Sequence, residues 1–394
     1  MTGEIKIGLF GFGTVGEGLY GVLKKAVSAH AQIVKICVKN KSKKRSLPAE
    51  MFTFDPEEIF ADPNINLIVE LIDDADESYR IVRRSLEEGK AVVSGNKKML
   101  AYHIEELIEL QRKTGTALLY DASACGSIPV IRNLEEYYDN DLLLSVKGIL
   151  NGSSNFILSK IFNEHKSYSQ ALREAQELGF AESDPTFDVD GFDSLFKLII
   201  ITVHAFGTYV HPDKVINCGI SKISDADINY AREKGTRIKL LADVSKISDH
   251  SITMCVLPCF VPPDKYIYSV EDEFNGVVIK GEYYDKQFMF GRGAGGFPTG
   301  SSVLSDITAR SHDYRYEYKK RNLYRKMEYT ADTDIKLYVR YSDDSDIELF
   351  KFKEITERYY SREYKFVTGV ICLADLVKIK EELGQRNLFV AKMY

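Results

Sequence analysis

A carboxylate and an ammonium group stand four residues apart in a strongly apolar part of the sequence. Asp193 and Lys197 share one face of a predicted helix, because residues i and i+4 of a helix are neighbours. The apolar run 198–203 follows them, which predicts that the helix is mostly buried. An exposed ion pair is the simpler alternative. In a buried pair, desolvation and the carboxylate would tune the lysine for proton transfer.

An acidic loop precedes this helix. Between residues 180 and 191 it carries four carboxylates, those of Glu182, Asp184, Asp188 and Asp190. A calcium site is one interpretation, but the spacing departs from the EF-hand pattern and lacks its terminal bidentate glutamate. Binding of a substrate ammonium group is the interpretation that we favour.

Two short polar segments follow predicted strands. Ser94-Gly95-Asn96-Lys97-Lys98 lies at the sheet edge where parallel sheets bind ligands, so Lys97 is either a site residue or an ordinary surface lysine. Asn151-Gly152-Ser153-Ser154-Asn155 begins a helical pattern, although its composition also fits a simple turn. Backbone amides at a helix N-terminus are suited to holding a carboxylate.

A glycine-rich turn near the start indicates a nucleotide site. Gly11-Phe12-Gly13-Thr14-Val15-Gly16 follows an apolar strand and opens a helix, as the dinucleotide fingerprint requires. Gly11 permits the tight turn, Gly13 lets the backbone approach a pyrophosphate, and Gly16 allows close packing of helix on strand. The alternative is a glycine turn without a ligand.

The second strand is followed by a basic loop. NAD-binding folds usually carry an acidic residue there, which binds the ribose 2′-hydroxyl. Here five of the seven residues from Lys39 to Arg45 are cationic and suit a 2′-phosphate. The loop therefore favours NADP, while NAD stays open. A solvated basic loop and a nuclear-targeting segment are the other interpretations.

The predicted helices and strands that position these residues follow different patterns in successive parts of the chain. Up to residue 130, short apolar strands alternate with helices, which predicts an α/β fold with a Rossmann-type doubly wound parallel sheet. Residues 131–300 read as an inserted α+β domain for catalysis and dimerisation, and residues 301–320 complete the first domain. Residues 291–300 are expected to form a glycine-rich loop before a helix over 301–311.

Residues 321–394 are predicted to form a small α/β appendage. Strand patterns cover 335–341 and 364–372, and a short helix is expected at 374–383. The segment 348–358 fits either a helix or a second strand.

The composition of the chain limits the classes of protein to which it can belong. The chain has 394 residues, of which 44% are hydrophobic and 28% charged, and its formal net charge is −6. These values predict a folded protein with no nucleic-acid or membrane partner. No apolar run approaches the length of about 18 residues that spans a bilayer, and no signal-peptide pattern is present. The six scattered cysteines fit neither a disulfide framework nor a zinc site, which favours the cytoplasm.

These segments, in this order, resemble the homoserine dehydrogenase family. The resemblance runs from about residue 3 to about 310, and it rests on GFGTVG at 11–16, SGNKK at 94–98, YDASACGSIPVI at 120–131, GILNGSSNFIL at 148–158, LGFAESDPTFDVDGFDSLFK at 178–197 and GRGAGGFPTGSSVLSD at 291–306. It implies NAD(P)-dependent interconversion of L-homoserine and L-aspartate 4-semialdehyde, a step in threonine, methionine and isoleucine biosynthesis.

The resemblance also implies roles for individual residues. Lys197 would donate and accept the proton at the substrate oxygen, Asp193 would orient it or hold a water, and Lys97 would share the proton transfer. The residues expected to bind substrate are Glu182, Gly152, Ser153 and Asp193. With Gly16 and Lys39 added from the glycine turn and the basic loop, the expected cofactor-binding residues are Gly11, Gly13, Thr14, Val15, Gly16, Lys39, Ser94, Lys97 and Gly295.

Two departures from the family pattern bear on the site. The family binds a monovalent cation such as sodium, largely through backbone carbonyls, in a loop that here contains Asp121, Ala124, Gly126 and Ile128. Asp121 replaces the glutamate that is often found there. The usual Gly-Gly pair after the predicted strand that ends near Ile72 is Asp73-Asp74, which places negative charge near the cofactor crevice or points away from it.

Other functions stay open at this point. One is a catalytically inactive NADP-binding sensor or interaction protein, although the joint presence of Lys97, Glu182, Asp193 and Lys197 argues against it. Another is a different NADP reductase that acts on a related small aldehyde. Residues 321–394 resemble the ACT regulatory domains of some family members, or they form a structural extension. A homodimer or higher homo-oligomer acting on a small amino-acid substrate is expected.

Overall fold

The computed structural model describes residues 4–26, 30–322 and 326–394 of the chain. Two units are separated by their internal contacts: Met1–Asp139 with Arg292–Lys319, and Asn140–Gly291 with Lys320–Tyr394. The first unit is therefore completed by a segment that lies far along the sequence. The domain limits that the sequence suggests near residues 130, 300 and 320 remain predictions.

Strands and helices alternate in the first 139 residues. In chain order they are β1 (Ile5–Phe10), α1 (Thr14–Lys25), β2 (Ala31–Cys37), β3 (Phe52–Thr53), α2 (Glu57–Phe60), β4 (Leu67–Glu70), α3 (Ala75–Glu87), β5 (Ala91–Ser94), α4 (Lys97–Thr114), β6 (Leu118–Leu119), α5 (Ala122–Cys125) and α6 (Val130–Glu136). The first helix is predicted from the sequence to reach residue 29, but residues 27–29 lie outside the described residues.

In the described residues, six strands of this unit form a parallel sheet in the order β3-β2-β1-β4-β5-β6. This is the strand order of a doubly wound dinucleotide-binding fold. The central strands are apolar along their length because helices cover both faces, and Ile7, Leu9, Ile68 and Val69 are fully buried. The predicted Rossmann-type sheet is confirmed.

Residues 143–311 contain longer elements. They are β7 (Leu143–Ile149), α7 (Gly152–Glu164), α8 (Tyr168–Glu177), α9 (Thr186–Val189), α10 (Phe192–Phe206), α11 (Asp225–Glu233), β8 (Arg237–Ser248), β9 (Ser251–Val261), β10 (Phe274–Gly281), β11 (Asp285–Arg292) and α12 (Gly296–Ser311). Short 3₁₀ helices lie at Ala49–Met51, Pro212–Lys214, Tyr266–Ser269 and Lys319–Asn322.

Helix α12 completes the first unit by packing against α1 through glycines. A Cβ atom at Gly18 would come within 2.0 Å of the Gly296 carbonyl oxygen, and one at Gly300 within 2.6 Å of the Leu19 nitrogen. The expected loop over 291–300 is wrong in its second half, because α12 already begins at Gly296. Glycine disfavours a helix by itself, but only glycine allows these two helices to approach so closely.

The final segment adds strands to the second unit. Its elements are β12 (Glu328–Tyr329), β13 (Asp334–Tyr341), α13 (Asp344–Ile347), β14 (Phe352–Tyr360), β15 (Lys365–Cys372), α14 (Leu373–Lys378), α15 (Lys380–Gln385) and β16 (Phe389–Met393). Of the two interpretations of 348–358, the strand is correct from Phe352 onward. Strand β16 has no counterpart among the elements predicted from the sequence.

The second unit is built on one mixed sheet. Ten strands of the described residues run in the order β11-β10-β7-β8-β9-β16-β13-β15-β14, with β12 beside β9. From β13 to β16 the chain follows a β-α-β-β-α-β course, the split βαβ arrangement. Strand β16 also pairs in parallel with β9, where Lys392 lies opposite Cys259. The C-terminal strands therefore extend the sheet of the inserted segment.

Apolar packing and buried charge reinforce this junction. One hydrophobic core contains Leu257 of β9, Leu337 of β13 and Leu376 of α14. On β8, the Asp243 carboxylate accepts a 2.8 Å hydrogen bond from Lys392 of β16 and lies 3.0 Å from the Lys147 ammonium of β7. In the part of the chain that the structure describes, the six cysteines form no disulfide bond with one another. Across the described ranges, no helix is both long and apolar enough to cross a membrane.

Candidate active site

Helix α10 buries the carboxylate and ammonium pair that the sequence indicates. It begins after Gly191, whose φ of 83° suits glycine, and nearly all of its residues are buried. Asp193 is 3% exposed and Lys197 is 7% exposed. The pair is therefore not the exposed ion pair of the simpler alternative.

Two hydrogen-bond acceptors contact the Lys197 ammonium group. Its Nζ donates to Asp193 Oδ2 at 2.6 Å and to the Leu150 carbonyl oxygen at 2.7 Å. Leu150 stands between β7 and α7, so the ammonium group joins the end of a strand to α10. The third N–H of Lys197 makes no hydrogen bond to another described residue. A buried ammonium group is thus fixed by two acceptors and retains one donor.

Asn151 is a member of this site that the sequence pattern places at the start of a predicted helix without assigning it a role. Its side-chain oxygen caps α7 by accepting from Ser154 N at 2.7 Å. Its Nδ2 donates to Asp188 at 2.7 Å and to Asp193 at 2.9 Å. The asparagine before a helical pattern was the available signal, but capping alone would have explained it.

The acidic loop does not act as one cluster. Glu182 and Asp184 are exposed, and Asp184 accepts from Thr186. Among the four carboxylates of this loop, all in the described part of the chain, Asp188 is the one that accepts from the Asn151 amide. Over the described ranges, no three His, Cys, Asp or Glu side chains are arranged to hold a metal ion.

The two predicted substrate residues of α7 lie in its first turn. A Cβ atom at Gly152 would come within 2.6 Å of the Glu273 carbonyl oxygen, so a larger residue would not fit there. The Ser153 hydroxyl donates to the carbonyl oxygen of Phe180, two residues before Glu182. Ser153 thus ties the start of α7 to the loop that carries Glu182.

In the first unit, the glycine turn has the shape that a pyrophosphate needs. Gly11 has a φ of 94°, and a Cβ atom there would lie 2.5 Å from the Leu71 carbonyl oxygen. A Cβ atom at Gly16 would lie 2.6 Å from the Gly11 carbonyl oxygen, whereas nothing lies within 4 Å of one at Gly13. Thr14 and Val15 form the first turn of α1, where backbone amides lack helical partners. These residues fit a dinucleotide cofactor.

Gly295 joins the same region from the other end of the sequence. It precedes α12 with a φ of 112°, a conformation that favours glycine. The neighbouring Gly296 packs so closely that a Cβ atom would lie 2.6 Å from the Thr14 carbonyl oxygen. The segment after β11 therefore supports the first turn of α1.

The basic loop after β2 is exposed, and part of it is ordered by its own contacts. Asn40 accepts from the backbone N–H groups of Ser42 and Lys43, and Lys39 lies 3.6 Å from Asp74. Asp74 caps α3 by accepting from Glu77 N, and this bond, more than the nearby Lys39, lowers the pKa of its carboxyl group. Asp74 therefore has both a structural role and a cationic neighbour.

The segment before α4 depends on a buried glutamate that the sequence reasoning missed. Glu70, at the end of β4, accepts from Ser94 Oγ at 2.6 Å, from Ser78 Oγ at 2.5 Å and from Ile72 N at 2.8 Å. Burial raises the pKa of Glu70. Because the Ser94 hydroxyl is used internally, a cofactor contact by Ser94 would come from its backbone. Lys97 is the first residue of α4 and is half-buried.

The loop that is expected to hold a cation fits one poorly. The Asp121 carboxylate accepts from the backbone N–H groups of Ile131 and Arg132, and the carbonyl oxygen of Ile128 accepts from Val130 N. Asp306 accepts from Asp121 N and pairs with the Arg132 guanidinium, which supplies positive charge there. Ala124 is buried in α5, and Gly126 follows it with a φ of 58°.

Two family models match the chain. The model described as the homoserine dehydrogenase NAD-binding domain matches residues 11–121, and the model described as homoserine dehydrogenase matches residues 129–308. Together they include the glycine turn, Lys97, Asn151, Asp193 and Lys197. Residues beyond 308 lie outside both models.

Individual proteins that are similar to this chain are also named homoserine dehydrogenase. The homoserine dehydrogenase of Bacillus subtilis (strain 168) is 35% identical over 314 residues, which cover 77% of this chain and 72% of that protein. A crystal structure of a homoserine dehydrogenase from Thiobacillus denitrificans matches with a TM-score of 0.84 at 27% identity, over 99% of this chain and 98% of the other. A hyperthermophilic archaeal homoserine dehydrogenase in complex with NADPH matches with a TM-score of 0.68 at 25% identity, over 79% and 99%.

Proposed function

The chain belongs to the homoserine dehydrogenase family, and from this premise we propose that Lys197 transfers the proton at the substrate oxygen. The reaction is the NAD(P)-dependent interconversion of L-homoserine and L-aspartate 4-semialdehyde, a step in threonine, methionine and isoleucine biosynthesis. The observation that carries the proposal is the buried Lys197 ammonium group with two fixed acceptors and one remaining donor. The inactive sensor has no support from the comparisons.

Reduction of an aldehyde requires a proton donor at its oxygen, which is the role proposed for Lys197. Reduction of the aldehyde leaves negative charge on its oxygen, which an ammonium group within hydrogen-bond reach stabilises and protonates. When bound, the reduced nicotinamide cofactor supplies the hydride for the aldehyde carbon. In the reverse direction, neutral Lys197 accepts the hydroxyl proton of homoserine. Asp193 positions the ammonium group by accepting from it, and Asn151 is a positioning residue that acts through Asp193, to which it donates.

The substrate carries an ammonium and a carboxylate group besides the reacting carbon. We assign its ammonium group to Glu182, which is exposed and lies two residues after Phe180, whose carbonyl oxygen accepts from Ser153 at the start of α7. Its carboxylate group is assigned to the backbone amides of Gly152 and Ser153, in the first turn of α7. Asp193 contributes negative charge to the same recognition, and Lys97 shares in the proton transfer.

The cofactor-binding assignment follows the glycine turn. Gly11, Gly13 and Gly16 shape the turn, and the amides of Thr14 and Val15 bind the pyrophosphate. Gly295 supports that turn, and Ser94 and Lys97 lie at the sheet edge where the nicotinamide end is expected. We assign the 2′-phosphate of NADP to the exposed loop at 39–45. Within this loop, a solvated ammonium group such as that of Lys39 binds the phosphate. We therefore propose NADP in preference to NAD.

Replacement of Lys197 by methionine tests the catalytic assignment. Methionine keeps the length and removes the proton donor, so Lys197→Met is expected to lower kcat about a thousandfold, within the range measured for general acids. The affinity for NADP⁺ is expected to stay within about twofold, because the cofactor residues belong to the first unit. Homoserine oxidation and NADP⁺ titration by fluorescence measure the two quantities.

Lys234→Met is the matched control, because Lys234 is 45% exposed and pairs with Glu357 at the surface of the same unit. It is expected to retain kcat. A Lys197→Met protein that folds and keeps the kcat of the unmodified chain would refute the assignment.

Replacement of Lys39 tests the choice of cofactor. A charged contact to the 2′-phosphate is worth roughly 1.4 kcal/mol, so Lys39→Ala should lower kcat/KM for NADPH about tenfold. The value for NADH should not change, since NADH lacks the phosphate. Lys24→Ala removes another exposed lysine, in the last turn of α1, and serves as the control. Equal losses with both cofactors would argue against a 2′-phosphate contact.

Three further properties belong to the proposal. We propose that the chain forms a homodimer or higher homo-oligomer, which light scattering on the purified protein measures, and that it acts in the cytoplasm. A monovalent cation such as sodium would have to bind at Asp121, Ala124, Gly126 and Ile128 through backbone carbonyls. Because the Asp121 carboxylate and the Ile128 carbonyl oxygen already accept hydrogen bonds, we derive no step of the reaction through it. Equal rates in sodium and tetramethylammonium chloride are expected if the loop holds no cation.

A further inference from the structure

Lys239 of β8 is a buried lysine that the proposed mechanism does not use. It is 2% exposed, and its Nζ donates to the carbonyl oxygen of Val270 and, at 3.2 Å, to Asn155 Oδ1. Burial lowers the pKa of Lys239 to about 7. Above that pH the group is a neutral amine with two N–H donors, which these two acceptors satisfy. Because a buried polar group is costly without partners, the two contacts fix the position of the amine.

Asn155 of α7 is the second member of this buried group. Its Nδ2 lies within hydrogen-bond distance of three carbonyl oxygens, those of Val270 at 3.2 Å, Asp272 at 2.9 Å and Phe274 at 3.2 Å. An amide group has two N–H donors, so the three carbonyl groups share them. The segment before β10 therefore turns its carbonyl groups toward α7, and Lys239 holds the first of them as well.

The segment 270–273, which leads into β10, also packs against α7 through its backbone. Asp272 N donates to Ser159 Oγ of α7 at 2.9 Å. A Cβ atom at Gly152 would come within 2.6 Å of the Glu273 carbonyl oxygen, so the first residue of α7 lies directly against the segment. A displacement of the segment would therefore disturb the first turn of α7. In the proposed function, the amides of this turn bind the substrate carboxylate.

We propose that Lys239 and Asn155 are positioning residues for recognition of the substrate carboxylate. They hold the segment 270–273 against the first turn of α7 and thereby keep the amides of Gly152 and Ser153 in place. This inference rests on the assignment of the carboxylate in the proposed function. Both side chains act through the segment without touching the substrate, because they are almost fully buried.

The proton-transfer group is held by other contacts. Lys197 Nζ donates to Asp193 and to the Leu150 carbonyl oxygen, and neither acceptor belongs to the segment 270–273. Loss of the Lys239 contacts should therefore weaken the binding of homoserine without removing the proton donor. A general loss of stability would act differently, because it lowers the fraction of active enzyme and with it kcat.

Steady-state kinetics of Lys239→Met at pH 8 test the proposal. Methionine keeps the length of the side chain and removes its N–H donors. The KM for L-homoserine is expected to rise about tenfold, while kcat and the Kd for NADP⁺ stay within about twofold, because substrate binding is lost and the contacts of the transition state are kept. A folded variant whose KM is unchanged, or whose kcat falls as much as its KM rises, would overturn the proposal.

A second variant and a control accompany this measurement. Asn155→Ala removes the other member of the group and is expected to raise the KM to a similar extent. Lys246→Met is the matched control, because Lys246 lies on the same strand and pairs with Asp249; it should keep the KM of the unmodified chain. Melting temperatures identify the variants that fold. If folded Asn155→Ala has the KM of the control, the proposal is wrong.

Hydrogen exchange measured by mass spectrometry separates this proposal from the proposed function. In Lys239→Met, peptides that cover 150–156 and 268–275 should exchange faster than in the unmodified chain, because their backbone opens more readily. Peptides of α1 should not change. An unmodified chain that does not oxidise homoserine would refute the proposed function, yet faster exchange at the start of α7 would still support the positioning role of Lys239. Unchanged exchange in both peptides would overturn that role.

Discussion

At the scale of single residues, the chemistry of the second unit converges on the Asp193 carboxylate. Its Oδ2 accepts from both Lys197 and Asn151. The sequence alone predicted the first contact, because the four-residue spacing and the apolar run are local features. The second contact joins residues 42 positions apart, and no local pattern distinguishes it from ordinary helix capping.

In the first unit, Glu70 is another residue whose contacts cannot be predicted from the local sequence. The run Leu67–Glu70 reads as a buried strand, and a buried carboxyl group at its end is stable only because Ser78 and Ser94 donate to it. Those donors come from two other elements. Their convergence depends on the strand order of the sheet, so the residue types alone did not reveal it.

Lys239 of β8 gives a prediction about pH. Burial, with a smaller contribution from Arg237, lowers the pKa of Lys239 to about 7, whereas the unfolded chain has an ordinary lysine. Between pH 7 and 10 the unfolded state therefore binds more protons, and stability rises with pH. From pH 7 to 9, the free energy of unfolding should rise by about 2 kcal/mol more in the unmodified chain than in Lys239→Met.

Urea unfolding at the two pH values measures this difference. Lys246→Met, which changes a mostly buried lysine of the same strand that pairs with Asp249, should show the pH response of the unmodified chain. If Lys239→Met shows that response as well, Lys239 keeps its proton over this range and the prediction fails.

At the scale of elements, sequence patterns that repeat within a few residues predict the short strands correctly. The sequence predicts strands at residues 5–10 and 91–94, and β1 and β5 have these bounds in the structure, because both are short apolar runs between clear turns. The start of α12 was missed because its glycines are poor helix formers. Their helical conformation is set by α1, a contact between segments that are about 280 residues apart in the sequence.

The crossing of α1 and α12 predicts that Gly300→Ala is destabilising. The added methyl group would meet the backbone of Gly18 and Leu19 at 2.6–2.7 Å, and overpacking of this kind costs about 2 kcal/mol. Since α1 starts at the glycine turn, the affinity for NADP⁺ should fall as well. Thermal unfolding and cofactor titration measure both effects.

Gly384→Ala is the matched control, because no atom lies within 4 Å of a Cβ atom at that helical position. It should keep or slightly raise the melting temperature, as expected for alanine in a helix. A Gly300→Ala protein with the same melting temperature as this control would show that the two helices can separate without cost.

At the scale of the whole molecule, the C-terminal strands belong to a continuous sheet. Asp243 connects these strands to the rest of the sheet. Burial favours the neutral form of the Asp243 carboxyl group, but the ammonium groups of Lys392 and Lys147 outweigh burial and hold its pKa below the usual range. Lys392→Met removes one of these partners from a buried carboxylate and should lower the free energy of unfolding by about 3 kcal/mol.

Urea unfolding of the full chain measures this loss. Lys353→Met, which removes an exposed partner of Asp334, should cost at most about 1 kcal/mol. A loss of that size in Lys392→Met as well would mean that Lys147 alone compensates the charge of Asp243.

The position of β16 also bears on how the chain is made. Domains generally fold as units while the ribosome adds residues in order, but β16 at Phe389–Met393 lies between β9 and β13, which are both synthesised earlier. Until β16 is made, these strands have main-chain edges that its pairing would cover, and such edges associate readily with other chains. Nascent chains are therefore expected to depend on chaperones at least until β16 has been synthesised.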